Sequence, residues 1–170
     1  ELVKKLTEKF KKDKNVHVEL FDIAKPLGII NKKFNTVYSV NVLEHIRDDV
    51  TALKNMSLLL NKGGRVVILV PAKKNVYTKL DTNLGHFRRY EKAEITTKLT
   101  AAGFKIDKVE YFNMLGLVSW FLRNAISRNH EELKKSHVKF FDSIVPFLRK
   151  VEPKRDLPLG ISLIAIASKK

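Results

Sequence analysis

The stretch Phe34-Asn35-Thr36-Val37-Tyr38-Ser39-Val40-Asn41-Val42-Leu43-Glu44-His45-Ile46 decides how the chain folds. Its first part, centred on Val37-Tyr38-Ser39-Val40, predicts a strand over 34–42. Asp48 and Asp49 follow and predict a helix start, because carboxylates suit the positive end of a helix dipole. Val50, Leu53, Met56, Leu58, Leu59 and Leu60 give this helix a buried face, and Gly63-Gly64 reads as its terminator. The run Val-Val-Ile-Leu-Val in Arg65–Val70 is what a parallel strand covered on both faces requires.

On the N-terminal side, Leu2, Val3, Leu6 and Phe10 recur between lysines and predict an amphipathic helix over 1–12. Val16–Phe21 alternates apolar and polar residues and predicts a strand ending at Asp22. Ala24–Lys33, broken by Pro26 and Gly28, is a connection. On the C-terminal side, Pro71–Tyr90 is polar and without a clear period, and loops of that length tend to be functional. A helix over 91–102 closed by Gly103, a strand over 104–112 and a final strand over 161–167 are expected, with two helical patterns within 113–150. Strands alternating with helices imply an α/β fold with a largely parallel sheet, closed at its end by an antiparallel strand pair.

The chain has 170 residues, 44% of them apolar, which suffices for one packed domain over 1–170 and excludes global disorder. The longest uncharged stretches, Tyr111–Leu122 and Leu157–Ser168, are twelve residues each, below the roughly 20 a membrane-spanning helix needs. Cysteine is absent, which excludes a disulfide scaffold, a Cys-based zinc site and a thiol nucleophile; no metal centre is expected. The lysines near the start leave no room for the apolar segment of a signal peptide, so a cytoplasmic protein is expected. The net charge of +15 invites a nucleic-acid reading. Lysines outnumber arginines 25 to 8 and are scattered without a compact aromatic-interleaved motif, so the charge reads better as a solvated surface.

The segment 34–46, followed by Asp48-Asp49, Leu60–Arg65 and the apolar strand to Pro71, closely resembles class I S-adenosylmethionine-dependent methyltransferases. The resemblance continues in one register through Leu84–Tyr90, Ala102-Gly103-Phe104, Tyr111–Gly116 and Gly160–Ala165. It implies a Rossmann-like sheet with S-adenosylmethionine bound beyond the carboxyl ends of the strands. By resemblance, Asp22 and Ile23 would contact the adenine, Asn41 and Val42 would approach the cofactor through their backbone, and Glu44 would lie at the pocket mouth.

His45 and His86 are the candidate catalytic groups, since an imidazole can take a proton from an acceptor. The alternative for His45 is a helix cap. Arg88, Arg89 and Tyr90 are candidates for binding an anionic group on the acceptor, or Arg88 and Arg89 pair with acids at nearby helix starts such as Glu91 and Glu94. Glu91 stands where related sequences often carry a Ser or Thr cap. The apolar cluster Leu115, Leu117, Val118, Trp120, Phe121 and Leu122 is either buried against the sheet, a lid over the acceptor, or a peripheral surface for a lipid-linked substrate.

The resemblance also exposes a gap. None of the seven glycines forms the G-x-G-x-G turn on which the cofactor lies. The family's sheet order is 3-2-1-4-5-7-6, and the opening helix of this chain matches the one after the family's second strand. The fold is therefore expected without its first two strands, leaving Val16–Phe21 without its neighbours and an open edge on the strand at 34–42. Three functions are weighed: methyl transfer to a small-molecule or lipid-linked acceptor, a non-catalytic methyltransferase-like binding module, and a basic nucleic-acid-binding domain.

Overall fold

The computed structural model describes residues 1–25, 27, 33–114, 116 and 159–170. In chain order the elements are α1 (Leu2–Phe10), β1 (Phe34–Val40), a 3-10 turn (Leu43–His45), α2 (Asp49–Leu59), β2 (Leu60–Pro71), a second 3-10 turn (Lys74–Val76), α3 (Lys79–Asn83), α4 (Lys92–Ala101), β3 (Phe104–Phe112) and β4 (Ser162–Lys169). Of the two helical patterns expected within 113–150, all but residues 113, 114 and 116 lies outside the described residues, as do the turn at 152–158 and the apolar cluster 115–122.

Among the described residues one sheet of four strands runs in the order β1-β2-β4-β3. β1 and β2 are parallel, and β4 is antiparallel to both β2 and β3. This is the 4-5-7-6 half of the order implied by the resemblance, with the expected closing antiparallel pair.

The core lies on one face. Val66, Ile68 and Val70 of β2 pair with Ala167, Ala165 and Leu163 of β4, and all six are fully buried. Onto them pack Ala52, Leu53 and Met56 of α2, Ile95 and Leu99 of α4, and Phe104. Alternate residues of β2 and β4, including Val67, Leu69, Ile164 and Ile166, are only partly covered among the described residues. Asp48 caps α2: its Oδ1 accepts from the Thr51 N–H at 3.0 Å and its Oδ2 from the Thr51 hydroxyl at 2.7 Å. These bonds hold the Asp48 carboxyl below its ordinary pKa.

Three expectations need correction. Val16–Phe21 forms no strand: it makes no ladder, and Leu20 and Phe21 are exposed. A strand is stabilised by its neighbours, and among the described residues none lies beside it. Gly63-Gly64 does not end α2, which stops at Leu59. The glycines lie in the bulged start of β2, where the register jumps from Phe34↔Leu60 to Thr36↔Arg65. Gly63 has φ +73°, and a Cβ on Gly64 would stand 2.9 Å from the Asn61 carbonyl and 3.1 Å from that of Asn35. The glycines thus let the bulge fold back against β1.

The segment after β2 is ordered, closed and helical in part. Ala72 and Tyr90 form a parallel bridge, and the Tyr90 N–H donates to the Pro71 carbonyl at 2.9 Å. Within it, Thr78 and Asp81 make a reciprocal capping box at the start of α3. As expected, β1 keeps an open edge among the described residues, with Tyr38 75% exposed.

Candidate active site at the carboxyl end of the sheet

β1 ends where the Asn41 N–H donates to the Leu69 carbonyl at 2.9 Å. Asn41 then takes φ +51°, a left-handed conformation asparagine tolerates better than most residues. This turns the chain sharply into the 3-10 turn. Leu43 goes into the core, Glu44 is drawn under the rim, and His45 faces outward.

The segment after α3 is stitched to this turn. The Phe87 N–H donates to the Glu44 carbonyl at 2.8 Å, and His45 Nδ1 lies 3.2 Å from the Gly85 carbonyl. The Tyr77 hydroxyl donates to the His86 carbonyl at 2.7 Å. The rings of His45 and His86 meet edge to face, centroids 4.7 Å apart. The two histidines proposed from sequence are therefore neighbours.

Behind His86 stands Asp81, 1% exposed. Its Oδ1 is 3.0 Å from His86 Nδ1 and accepts from Arg89 Nε at 2.8 Å, while Oδ2 accepts from Arg89 Nη2 at 3.1 Å. Burial pushes the Asp81 carboxyl up, but Arg89, the Thr78 N–H and His86 outweigh it and hold the pKa below the ordinary value.

Asp49 organises a second cluster. Its Oδ2 accepts from the Tyr90 hydroxyl at 2.8 Å and pairs with Arg88 Nη1 at 2.8 Å and Lys98 Nζ at 2.5 Å. Burial and the adjacent Asp49 carboxylate push the Tyr90 phenol well above its ordinary pKa.

Glu44 differs from both aspartates. It has no solvent exposure, and neither carboxylate oxygen has a hydrogen-bond partner among the described residues. Burial pushes its pKa up, against the opposing pull of its own backbone N–H, His86, His45 and Arg89.

The structure thus brings together Glu44, His45 and His86, with Arg89 one step behind through Asp81. It engages Arg88 and Arg89 with Asp49 and Asp81 rather than with Glu91 and Glu94. It places Tyr90 in the core, its hydroxyl turned to Asp49. Asn41 and Val42 are exposed at the rim. Asp22 is exposed, its Oδ1 accepting from the Ala24 N–H at 3.0 Å; Ile23 packs on the core edge, and its carbonyl accepts from Asn55 at 2.7 Å. Glu91 begins α4 without capping it through its side chain. It accepts instead from the Lys74 N–H at 3.0 Å and the Tyr111 hydroxyl at 3.2 Å, tying the closed segment to β3.

Asp81 and Asp49 carry the site's electrostatics, and neither was singled out for the site from the sequence. Thr78-x-x-Asp81 was the available signal, a capping-box spacing.

A family model described as a methyltransferase domain matches residues 2–109, more than half of the chain. The chain belongs to this methyltransferase-domain family. No curated protein sequence matches it. Among solved structures it is similar to a SAM-dependent methyltransferase of Thermotoga maritima, at TM-score 0.62 and 17% identity over 98% of this chain and 70% of that one. It is similar to the N-methyltransferase NodS of Bradyrhizobium japonicum, solved with S-adenosyl-L-homocysteine, at TM-score 0.54 and 14% identity over 98% and 61%. It is also similar to the [4+2]-cyclase SpnF, at TM-score 0.60 and 15% identity over 98% and 60%. The chain thus spans less than two thirds of the length of the latter two. Among the described residues no helix is long and apolar enough to cross a membrane.

Proposed function

We propose that the chain is the acceptor-side part of an S-adenosylmethionine-dependent methyltransferase acting in the cytoplasm on a small-molecule or lipid-linked acceptor. The observation that carries this reading is the meeting of Glu44, His45 and His86 at the carboxyl ends of β1 and β2, where open α/β sheets take their ligands, in a chain of the methyltransferase-domain family. S-adenosylmethionine supplies an electrophilic methyl group. The chain's residues hold the acceptor in line with it and exclude water. His45, exposed at the rim, and His86, oriented by Asp81, are placed to accept the acceptor's proton.

Asn41 and Val42 border the cofactor region, and Asp22 and Ile23 take its adenine end. The glycine-rich turn is absent from this sequence, so cofactor affinity is expected to be weak. Arg88 and Arg89 contact an anionic acceptor only if their pairs with Asp49 and Asp81 open.

The test is titration of the 170-residue chain with S-adenosylhomocysteine, followed by backbone NMR. Weak binding with shifts confined to Asp22, Ile23 and Asn41–His45 supports the reading. Low-micromolar affinity by calorimetry would refute the expectation of weak binding. Absence of any shift at millimolar ligand favours the second reading, a non-catalytic binding module. One observation favours that module: Val16–Phe21, on the cofactor side, forms no strand among the described residues.

A further inference from the structure

We infer that Glu44, His45 and His86 form a binding site for one divalent transition-metal cation of the zinc or cobalt type. One ligand atom from each of the three residues lies within 4.8 Å of the other two. A tetrahedral cation with bonds of about 2.0–2.2 Å needs ligand atoms roughly 3.4 Å apart, so rotation of the side chains by an ångström or so closes the set.

Three further features fit a cation rather than a chance cluster. Both imidazoles have Nδ1 facing an acceptor, His45 toward the Gly85 carbonyl at 3.2 Å and His86 toward Asp81 Oδ1 at 3.0 Å. An acceptor at Nδ1 fixes the proton there and leaves the Nε2 lone pair free, the tautomer that ligates metals. His86 with Asp81 is a carboxylate–histidine pair of the kind that orients a metal ligand, and Asp81 is itself held by Arg89. Glu44 supplies what the imidazoles lack. It is a fully buried carboxylate whose two oxygens have no partner among the described residues, a state that is costly unless a positive charge meets it.

Two imidazoles and one carboxylate are a donor set for zinc, cobalt or iron rather than for calcium or magnesium, which prefer all-oxygen shells. Three protein ligands leave positions for water or an acceptor oxygen, whose proton the cation would make easier to lose. His45 and His86 would then act as ligands, with the cation doing the work assigned above to an imidazole base. The site does not depend on methyl transfer, so it can be tested without cofactor.

The experiment is calorimetric and optical titration of the metal-free chain with Zn²⁺ and Co²⁺, in wild type and in Glu44→Gln, His45→Asn and His86→Asn. One equivalent is expected to bind with micromolar or better affinity. Co²⁺ should give the visible absorption of a low-coordinate site. Each variant should bind at least about tenfold more weakly while keeping its circular dichroism. Because a variant could lose its fold, imidazole ¹⁵N spectra of the wild type provide a second measurement. Zn²⁺ should shift Nε2 of His45 and His86 and leave His17, His130 and His137 unmoved. No binding, equal binding in Glu44→Gln and His86→Asn, or shifts at the other three histidines would overturn the site.

Discussion

Asp81 and Glu44 stand at the same end of the sheet, both almost without solvent contact, and their surroundings are opposite. Asp81 accepts two bonds from Arg89, one from the Thr78 backbone and a contact from His86. Glu44 accepts nothing through its side chain among the described residues. The first carboxylate is structural: its charge is matched, and it fixes the guanidinium and imidazole around it. The second is a cost to the fold, carried just beneath the rim beside His45 and His86. A buried acid that is fully bonded builds; one that is left bare is poised to receive.

The contrast breaks most sharply at Asp81→Asn. Removing this charge strands the buried Arg89 guanidinium, so unfolding free energy should fall by about 3–5 kcal/mol in denaturant titration. Asp49→Asn should cost somewhat less, about 2–3 kcal/mol, because Arg88 and Lys98 retain more contact with water than Arg89. Glu44→Gln should have the opposite sign in metal-free protein. Relieved of a buried charge, the variant should match the wild type or exceed it by about 1 kcal/mol at neutral pH.

The pH profile gives the same contrast without mutation. Glu44 has a folded pKa above its ordinary 4.5, so the unfolded chain loses that proton first. Stability should decline as pH rises from about there through the folded pKa, and Glu44→Gln should flatten the decline. Asp81 has a folded pKa below its ordinary 3.8, so its contribution is complete above that value and lost on acidification. Asp81→Asn should remove this acid limb. The smallest effect should be at Glu91→Gln, which weakens only the ties to Lys74 and Tyr111, by less than about 1 kcal/mol in thermal melts.

The sequence revealed the sheet because Val66–Val70 and Ile161–Ala167 carry their burial in their own composition, and the turn at Asn41–His45 could be placed at its carboxyl end. It misled at Val16–Phe21. Alternation marks a half-buried strand only where a neighbour exists to bury it, and the pattern cannot report the neighbour's absence. It misled again at Gly63-Gly64, where glycine after a helix serves a backbone approach rather than a helix stop. The pairing of His45 with His86 was legible only as two separate candidates. What joins them is a backbone bond from Phe87 to Glu44, which no spacing announces. The proposed ligand set is hidden in the sequence for the same reason: positions 44, 45 and 86 form no compact motif until the later segment folds back.

The bridge between Ala72 and Tyr90 holds both ends of the segment between them at one point on the sheet rim. A segment anchored in this way behaves as a cassette. Its interior can lengthen, shorten or change composition at small entropic cost while the strands beneath keep their register. Because His86 and the helix bearing Asp81 travel inside it, the unit exchanged would carry half of the site's chemistry, and the turn at Leu43–His45 would supply the other half unchanged.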